Sequence, residues 1–412
     1  MTEHEVVEIC AGAGGQALGL ERAGFEHALA VELDENACNT LRANRSTWKV
    51  AEGDVADPSV WNPADYQDVA LLAGGVPCPP FSVAGKQLGA GDERDLFAWA
   101  IEQAAVVQPR ALLLENVRGL SMPRFAGYRQ HVLDRLAELG YVAEWRLLQA
   151  SDFGVPQLRP RFILVALTPE DAQYFYWPET EPSPLTVGET LADLMASDGW
   201  RGAKQWTKKA DRIAPTIVGG SKKHGGADLG PTRAKRAWAE MGVDALGLAD
   251  APPPADSPTD FVPKLTCEMV ARIQGWSNAY PWDFTGRKTS RYRQIGNAFP
   301  PPVAYAVGAA IRRAFQRTGN PRSLDNIDHD PIYKALRSST DFVTPEHLMK
   351  SAGLADPAEL ERRIGLLSRD FHVHIKTVGA KTRYKLGDFK AFVGQESHDR
   401  HDLFLKHRAR IS

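Results

Sequence analysis

The chain has 412 residues, room for two or three domains with sizeable cores. Its composition, 43% hydrophobic and 24% charged, excludes a disordered or collagen-like chain. A net charge of −2 removes bulk charge as a signal for any polyanionic partner, yet residues 200–240 hold ten Lys/Arg against three Asp/Glu, a local basic block suited to phosphates.

In chain order, "EVVEIC" (5–10), "HALAVE" (27–32), "DVALLAGG" (68–75), "RALLLENV" (110–117) and "RFILVAL" (161–167) read as buried strands. The longer segments between them have helical spacing. This alternation predicts an α/β fold, a parallel sheet with helices on both faces and ligands beyond the carboxyl ends of the strands. From 169 to 264 the rhythm is lost, and "ADAPPPADSPTD" (249–260) reads as a long loop or linker. Helical spacing returns at "LTCEMVARIQGW" and "PPVAYAVGAAIRRAFQR". A second break at 318–331 sets off the tail.

Two features rule out other classes. Four cysteines without CxxC spacing predict neither a disulfide framework nor a metal site. No basic-then-apolar leader and no run of about 18 apolar residues occurs, so the expected setting is a reducing cytoplasm without a membrane span.

Chemistry is expected at the strand ends. After the first strand, Gly12, Gly14 and Gly15 let the backbone approach a ligand where a helix begins. Glu32 closes the second strand, where a carboxylate accepts from both ribose hydroxyls. Asp54 follows the third strand and reads either as an acceptor for an adenine amino group or as an ordinary turn acid. Together they predict an adenosine cofactor. Cys10, Cys38 and Cys267 read as structural thiols, whereas Pro77 and Pro79 hold Cys78 in one direction at a strand end. A thiol so placed becomes a nucleophile when its thiolate is stabilised. The small residues after it predict a loop that closes over substrate, with Ser82, Lys86, Gln87 and Arg94 as candidate contacts. Glu115 falls beside Cys78 if their strands are adjacent, and Arg159 and Arg161, alternating with Pro160, are expected to point the same way.

The blocks "EICAGAGG", "VELD", "GDV", "GGVPCPPFS", "ENV", "QLRPR", "RIQGW" and "RYRQIGNAFPPPVA" stand in the order found in DNA (cytosine-5)-methyltransferases, which the chain resembles over about 1–168 and 265–312. The resemblance implies a Rossmann-like fold using S-adenosylmethionine, and a covalent bond from Cys78 to cytosine C6. It makes Glu115 the group that takes up charge at N3, Arg161 the holder of the cytosine O2, and Arg159 and Asn297 further members of the site. It places the cofactor against Cys10, Ala11, Gly12, Gly14, Gly15, Glu32, Leu33, Asp54, Val55, Pro77 and Asn297. It also implies a base flipped out of duplex DNA, a catalytic domain split between 1–168 and 265–316, a monomer, and a cognate restriction endonuclease sharing the target. Two departures are visible: Cys10 stands where the family often has Phe, and Pro79 where it often has Gln.

Rival readings remain. "CPPF" is similar to the (D/N)PP(Y/F) turn of amino-methyltransferases, but a thiol accepts hydrogen bonds poorly. RNA C5 enzymes and a catalytically silent DNA-binding protein are the others. The insert at 169–264 has the length a target-recognition domain needs, with Lys222, Lys223, Arg233, Lys235 and Arg236 as DNA contacts. Arg and Lys in the major groove read guanine, which points to a G·C-rich site. The tail, 322–412, predicts a helix capped by Thr344 and Pro345, a second helix, and a basic hairpin around Gly379, an α+β extension that resembles a winged-helix module. His372 and His374 share a strand face there without a third metal ligand.

Overall fold

A computed structural model describes residues 4–76, 94–180, 185–219, 227–324, 330–378 and 381–389. The first part alternates β1 (Glu5–Ile9), α1 (Gly15–Arg22), β2 (Glu26–Glu32), α2 (Glu35–Asn44), β3 (Val50–Glu52), β4 (Leu71–Gly74), α3 (Arg94–Val107), β5 (Ala111–Val117), α4 (Ala126–Glu138), β6 (Val142–Gln149), β7 (Pro160–Leu167) and α5 (Pro169–Ala172). These strands form one sheet in the order β3-β2-β1-β4-β5-β7-β6. Val6, Val7, Leu71, Leu72, Leu112 and Leu113 are fully buried, because helices cover both faces of the central strands. Glu8 is the polar exception on β1. It meets the ring of His27 on β2 at 2.9 Å, with both side chains buried, and burial pushes its carboxyl pKa up.

The expected parallel sheet holds for β1 to β5 and fails at one edge. There β7 runs antiparallel to both β5 and β6. The apolar-run pattern does not announce β6, because Glu144 and Arg146 interrupt it and its edge position leaves much of it half-exposed. Only residues 150–159 join β6 to β7. That is short of the dozen or more residues a parallel crossover needs, so the pair is antiparallel.

Later elements return to the sheet. The helices α6 (Val187–Ala196), α7 (Ala203–Lys209) and α8 (Thr232–Glu240) pack around Trp200, Trp206 and Trp238. This core continues into Leu41 of α2 and into Tyr292 of the stretch that follows, α9 (Cys267–Ile273), α10 (Lys288–Asn297) and α11 (Pro301–Phe315). α11 lies directly on α1. A Cβ on Gly19 would sit 2.4 Å from the Ala304 Cβ and 2.6 Å from the Pro301 carbonyl oxygen. Gly19→Ala is therefore expected to destabilise the protein by about 1–3 kcal/mol in urea unfolding. The helix-propensity gain of roughly 1 kcal/mol does not rescue it, since neither neighbour is the end of a flexible side chain. A stabilised variant would refute the close contact.

The tail folds as α12 (Pro331–Arg337), α13 (Pro345–Ser351), α14 (Pro357–Asp370) and the hairpin β8 (Phe371–Val378) with β9 (Lys381–Phe389). Thr344 caps α13 by accepting from the His347 N–H, with Pro345 in the first turn, as its sequence predicts. Between α12 and α13, Val343 forms a single antiparallel bridge to Tyr384 of β9. Tyr333, Leu367, Phe371 and Phe389 share one core with Tyr128 and Val132 of α4, so the tail is welded to the sheet's helical layer.

Candidate active site

The chain passes from β1 outward to β2 and β3, then returns to β4 on the other side of β1. The crevice beyond β1 and β4 is thus the switch point at which such sheets bind ligands. Its backbone is tight. A Cβ on Gly74 would meet the Ile9 carbonyl oxygen at 2.7 Å.

The glycine turn lies at this crevice. Cys10, Gly12 and Gly14 all have positive φ, at 51°, 54° and 91°. For Cys10 that is a strained, left-handed backbone. A Cβ on Gly12 would meet nothing within 4 Å, so an open cradle lies over that residue. Gly14 abuts Trp282, whose indole N–H donates to the Ala13 carbonyl at 2.8 Å. Gly15 abuts the Phe299 carbonyl oxygen, so the late "IGNAF" block packs on the first turn.

Glu32 binds this turn from β2. Its two oxygens accept from the Gly12 and Asp34 N–H groups, each at 2.8 Å. Burial pushes its carboxyl pKa up, against the pull of those N–H groups. A carboxylate oxygen has two acceptor sites, so both keep one for a ligand hydroxyl. Leu33 beside it is 45% exposed, a large apolar group left for a ligand to cover, whereas Ala11 and Val55 are buried. Asp54 accepts from the Ala56 N–H at 3.0 Å, as a turn acid does.

Sequence patterns give no hint of Gln16. It is 3% exposed, and among the described residues its amide oxygen and nitrogen have no hydrogen-bond partner. An unmatched buried amide costs about 1–3 kcal/mol, so a polar ligand at the start of α1 would answer it. The open cradle, the free acceptor sites of Glu32 and the orphaned Gln16 amide fit a zwitterionic adenosine cofactor.

The second half of the site stands across the crevice. β4 and β5 are adjacent and parallel, with Gly74 opposite Leu114. Glu115 therefore follows two residues before the end of β5, next to Gly75, which continues β4. A Cβ on Gly75 would lie 3.5 Å from Glu115 Oε2 and 3.7 Å from the Cys10 carbonyl oxygen. The glycine turn and the Glu115 carboxyl thus converge on one residue. Arg161 on β7 lies opposite Val117, which puts it diagonal to Glu115 on the same face. The two side chains form a salt bridge, each residue 9% exposed. Burial pulls the Arg161 pKa down and Glu115 pulls it back. The guanidinium has five N–H donors. Glu115 and the Pro160 carbonyl engage two of its nitrogens, so donors remain for a carbonyl oxygen. Pro77, Cys78, Ser82, Lys86, Gln87, Lys222 and Lys223 lie outside the described residues. Arg94 opens α3, but its side chain also lies outside them.

Arg159 has partners of its own, beyond those of Arg161. It is 1% exposed, and its guanidinium donates to the carbonyls of Ile217 at 2.6 Å, Gly296 at 2.7 Å and Ala298 at 3.0 Å. It fastens the insert to the "IGNAF" block and touches no open space. Beside it, Gln157 accepts from the Ile217 N–H at 2.9 Å and donates to Gln274 at 2.6 Å. Gln274 in turn donates to Ala298 at 2.8 Å. Asn297 is exposed, and its Oδ1 lies where a Cβ on Gly219 would be. The Tyr292 hydroxyl lies between the carbonyls of Val218 and Asp228, on either side of residues 220–226. Tyr292, Gln157 and Gln274 lack a motif of their own but organise the insert. In α8, Arg233 and Arg236 are exposed one turn apart. Lys235 pairs with Asp228 at 2.7 Å, and both side chains stay about a third exposed.

The remaining thiols differ from the one sought at Cys78. Burial pushes Cys38 up to about 12 and Cys267 upward as well, so both stay protonated and unreactive. Among the described residues no helix is long and apolar enough to cross a membrane, and no His/Cys/Asp/Glu group could hold a metal ion.

Known proteins are similar to this chain in sequence and in fold. The chain is 66% identical over 415 residues to Type II methyltransferase M.NaeI of Lentzea aerocolonigenes, covering all of both chains. It is 51% identical over 315 residues to Type II methyltransferase M.NgoMIV of Neisseria gonorrhoeae, which spans 76% of this chain and 98% of that one. The fold matches a crystal structure of Spodoptera frugiperda DNMT2, with a TM-score of 0.51, 16% identity, and coverage of 76% of this chain and 99% of that one. The model of the C-5 cytosine-specific DNA methylase family matches residues 4–313, the sheet together with the returning α9–α11, and the chain belongs to that family.

Proposed function

We propose that the chain methylates C5 of a cytosine in a specific duplex DNA site, as the modification enzyme of a restriction–modification system, with S-adenosylmethionine as methyl donor. The observation that carries this reading is the convergence at Gly75. A glycine turn built for an adenosine cofactor and a buried carboxylate–guanidinium pair meet three residues before Cys78.

Each residue then has one task. Gly12, Gly14 and Gly15 give the cofactor its close backbone approach, Glu32 accepts from its ribose, and Gln16 answers its polar amino-acid end. Ala11, Leu33 and Val55 border its base, with Cys10 making a smaller contact than the family's usual Phe. When bound, S-adenosylmethionine supplies an electrophilic methyl group. The Cys78 thiolate adds to C6 of the flipped cytosine, forming an S–C6 bond and moving the C5–C6 electron pair into the ring. Glu115 holds N3, sharing a proton along that bond as charge develops, and Arg161 holds the O2 oxygen. Arg161 also fixes Glu115 in place. After C5 is methylated, loss of its proton restores the double bond and expels Cys78 as thiolate.

In this reading 1–168 with 265–316 is the catalytic unit, 169–264 the target-recognition region and 322–412 an accessory, winged-helix-like unit. Arg233 and Arg236 reach the DNA while Arg159 and Asn297 position the insert and the cysteine loop. The protein works as a monomer in the cytoplasm, and a restriction endonuclease shares its target without needing to bind it. Incubation with sequence-diverse duplex DNA, digestion to nucleosides and mass spectrometry test the function. The expected product is 5-methyl-2′-deoxycytidine. Methylation of adenine N6 or cytosine N4 instead, or of RNA alone, would contradict it.

A further inference from the structure

We infer that the tail's hairpin is a second DNA contact, which holds backbone phosphates outside the methylated site. The inference rests on the reading of duplex DNA as substrate and adds a surface beyond the family match.

The charge pattern of the hairpin is the first support. In the β8–β9 ladder His374 lies opposite Lys385 and Lys376 opposite Arg383, all four on the face away from buried Tyr384. His374, Lys376 and Arg383 are exposed and Lys385 is half-exposed. Like charges directly opposite in a ladder are destabilising. By contrast, three arginines elsewhere in the tail have carboxylate partners: Arg362 and Arg363 pair with Glu359 at 2.7 and 2.9 Å, and Arg337 pairs with Glu138 at 2.7 Å. Among the described residues no carboxylate lies within ion-pair distance of Lys376, Arg383 or Lys385. Lys376 instead sits 5.8 Å from the ring centre of Phe342. The two cationic rows stand about 6.7 Å apart along the strands, close to twice the roughly 3.4 Å rise between phosphates on one DNA strand.

The placement of the tail is the second support. A Cβ on Gly127 of α4 would meet the Leu367 side chain of α14 at 2.3 Å, and His131 of α4 hydrogen-bonds the Tyr333 hydroxyl at 2.9 Å. The segment 118–125 links α4 to β5, directly after Glu115. Ser121 and Arg124 of that segment line one cavity of about 250 Å³ together with Arg362 and Arg363 of α14. The tail is therefore fixed beside the carboxyl edge of the sheet, which the duplex must approach to deliver a base.

The test is the triple variant Lys376→Gln, Arg383→Gln, Lys385→Gln in the full chain. With a duplex of about three helical turns, KM for DNA should rise roughly tenfold, and the salt dependence of binding should become shallower by about two to three. Values of kcat at saturating DNA, and binding to a short duplex that spans only the target, should not change. Binding is read by anisotropy without cofactor, so a failure of methyl transfer does not imitate a failure of this contact. Lys376→Glu supplies an independent check. It places opposite charges across the ladder, so it should raise the urea midpoint while weakening binding to the long duplex. An unchanged salt dependence and KM on the long duplex would overturn the inference. So would an equal loss on the short duplex, or a loss confined to RNA.

Discussion

Glu115→Gln is expected to lower the methylation rate at saturating DNA by about 10²- to 10⁴-fold, the range for a lost general acid or base. The substitution keeps the shape and one acceptor oxygen but removes the charge and the shared proton. It also touches stability, because Glu115 is the counter-charge of Arg161 in a nine-tenths buried pair. Removing one member of such a pair costs about 3–5 kcal/mol when nothing replaces it. Gln can still accept from Arg161, so the loss should fall below that range. The two effects separate by measurement. Single-turnover methylation reads chemistry, urea unfolding reads stability, and cofactor-free DNA binding reads the rest. A rate that falls only as far as the folded fraction would make the carboxylate structural. An unfolding midpoint that does not move would mean that Arg161 does not depend on Glu115.

Arg159→Met is expected to destabilise the protein by about 3 kcal/mol or more and to weaken DNA binding more than it slows the chemical step. Two terms oppose each other. Burial holds the Arg159 guanidinium well below its ordinary pKa, so removing the charge relieves a desolvation cost. Against this, the Ile217 and Gly296 carbonyls lose their donor, while Ala298 keeps Gln274, and each orphaned buried acceptor costs about 1–3 kcal/mol. The second term wins because the acceptors belong to two stretches, at 217 and at 296–298, which the Arg159 fork joins directly. Ile217 leads into the basic stretch, so its release should raise KM for DNA while kcat stays closer to the parent value. Arg159→Lys should not restore binding, since one ammonium cannot span both stretches as the planar fork does. Full rescue by lysine, or unchanged KM in the methionine variant, would refute the fastening role.

Much of the site is local, and local features are legible. Gly12, Gly14, Glu32 and Glu115 sit at ends of apolar runs, so reading the strands places them at the carboxyl edge of the sheet. Adjacency of β4 and β5 is a topological fact that the runs alone leave open, and the sheet order supplies it. What stays hidden depends on contacts over long sequence separation. Trp282 closes the glycine turn from 269 residues away, and Gln157 joins Gln274 across 117. No spacing rule connects such positions. The partners of Arg159 are hidden in the same way, since Gly296 and Ala298 lie 137 and 139 residues further on. The pairing of Lys235 with Asp228 in the preceding turn carries no motif either. The antiparallel edge escapes notice because Glu144 and Arg146 break the apolar run of β6.

The most direct test of the central claim is a covalent trap. Duplex DNA carrying 5-fluorocytosine is incubated with the protein and S-adenosylmethionine, then resolved under denaturing conditions. Fluorine at C5 blocks the last elimination, so a Cys78 nucleophile should leave a denaturant-resistant protein–DNA adduct that is absent in Cys78→Ala. Sequencing the trapped duplexes would also give the target site. An adduct that survives in Cys78→Ala would place the nucleophile elsewhere, and no adduct across a sequence-diverse pool would contradict C5 chemistry on DNA.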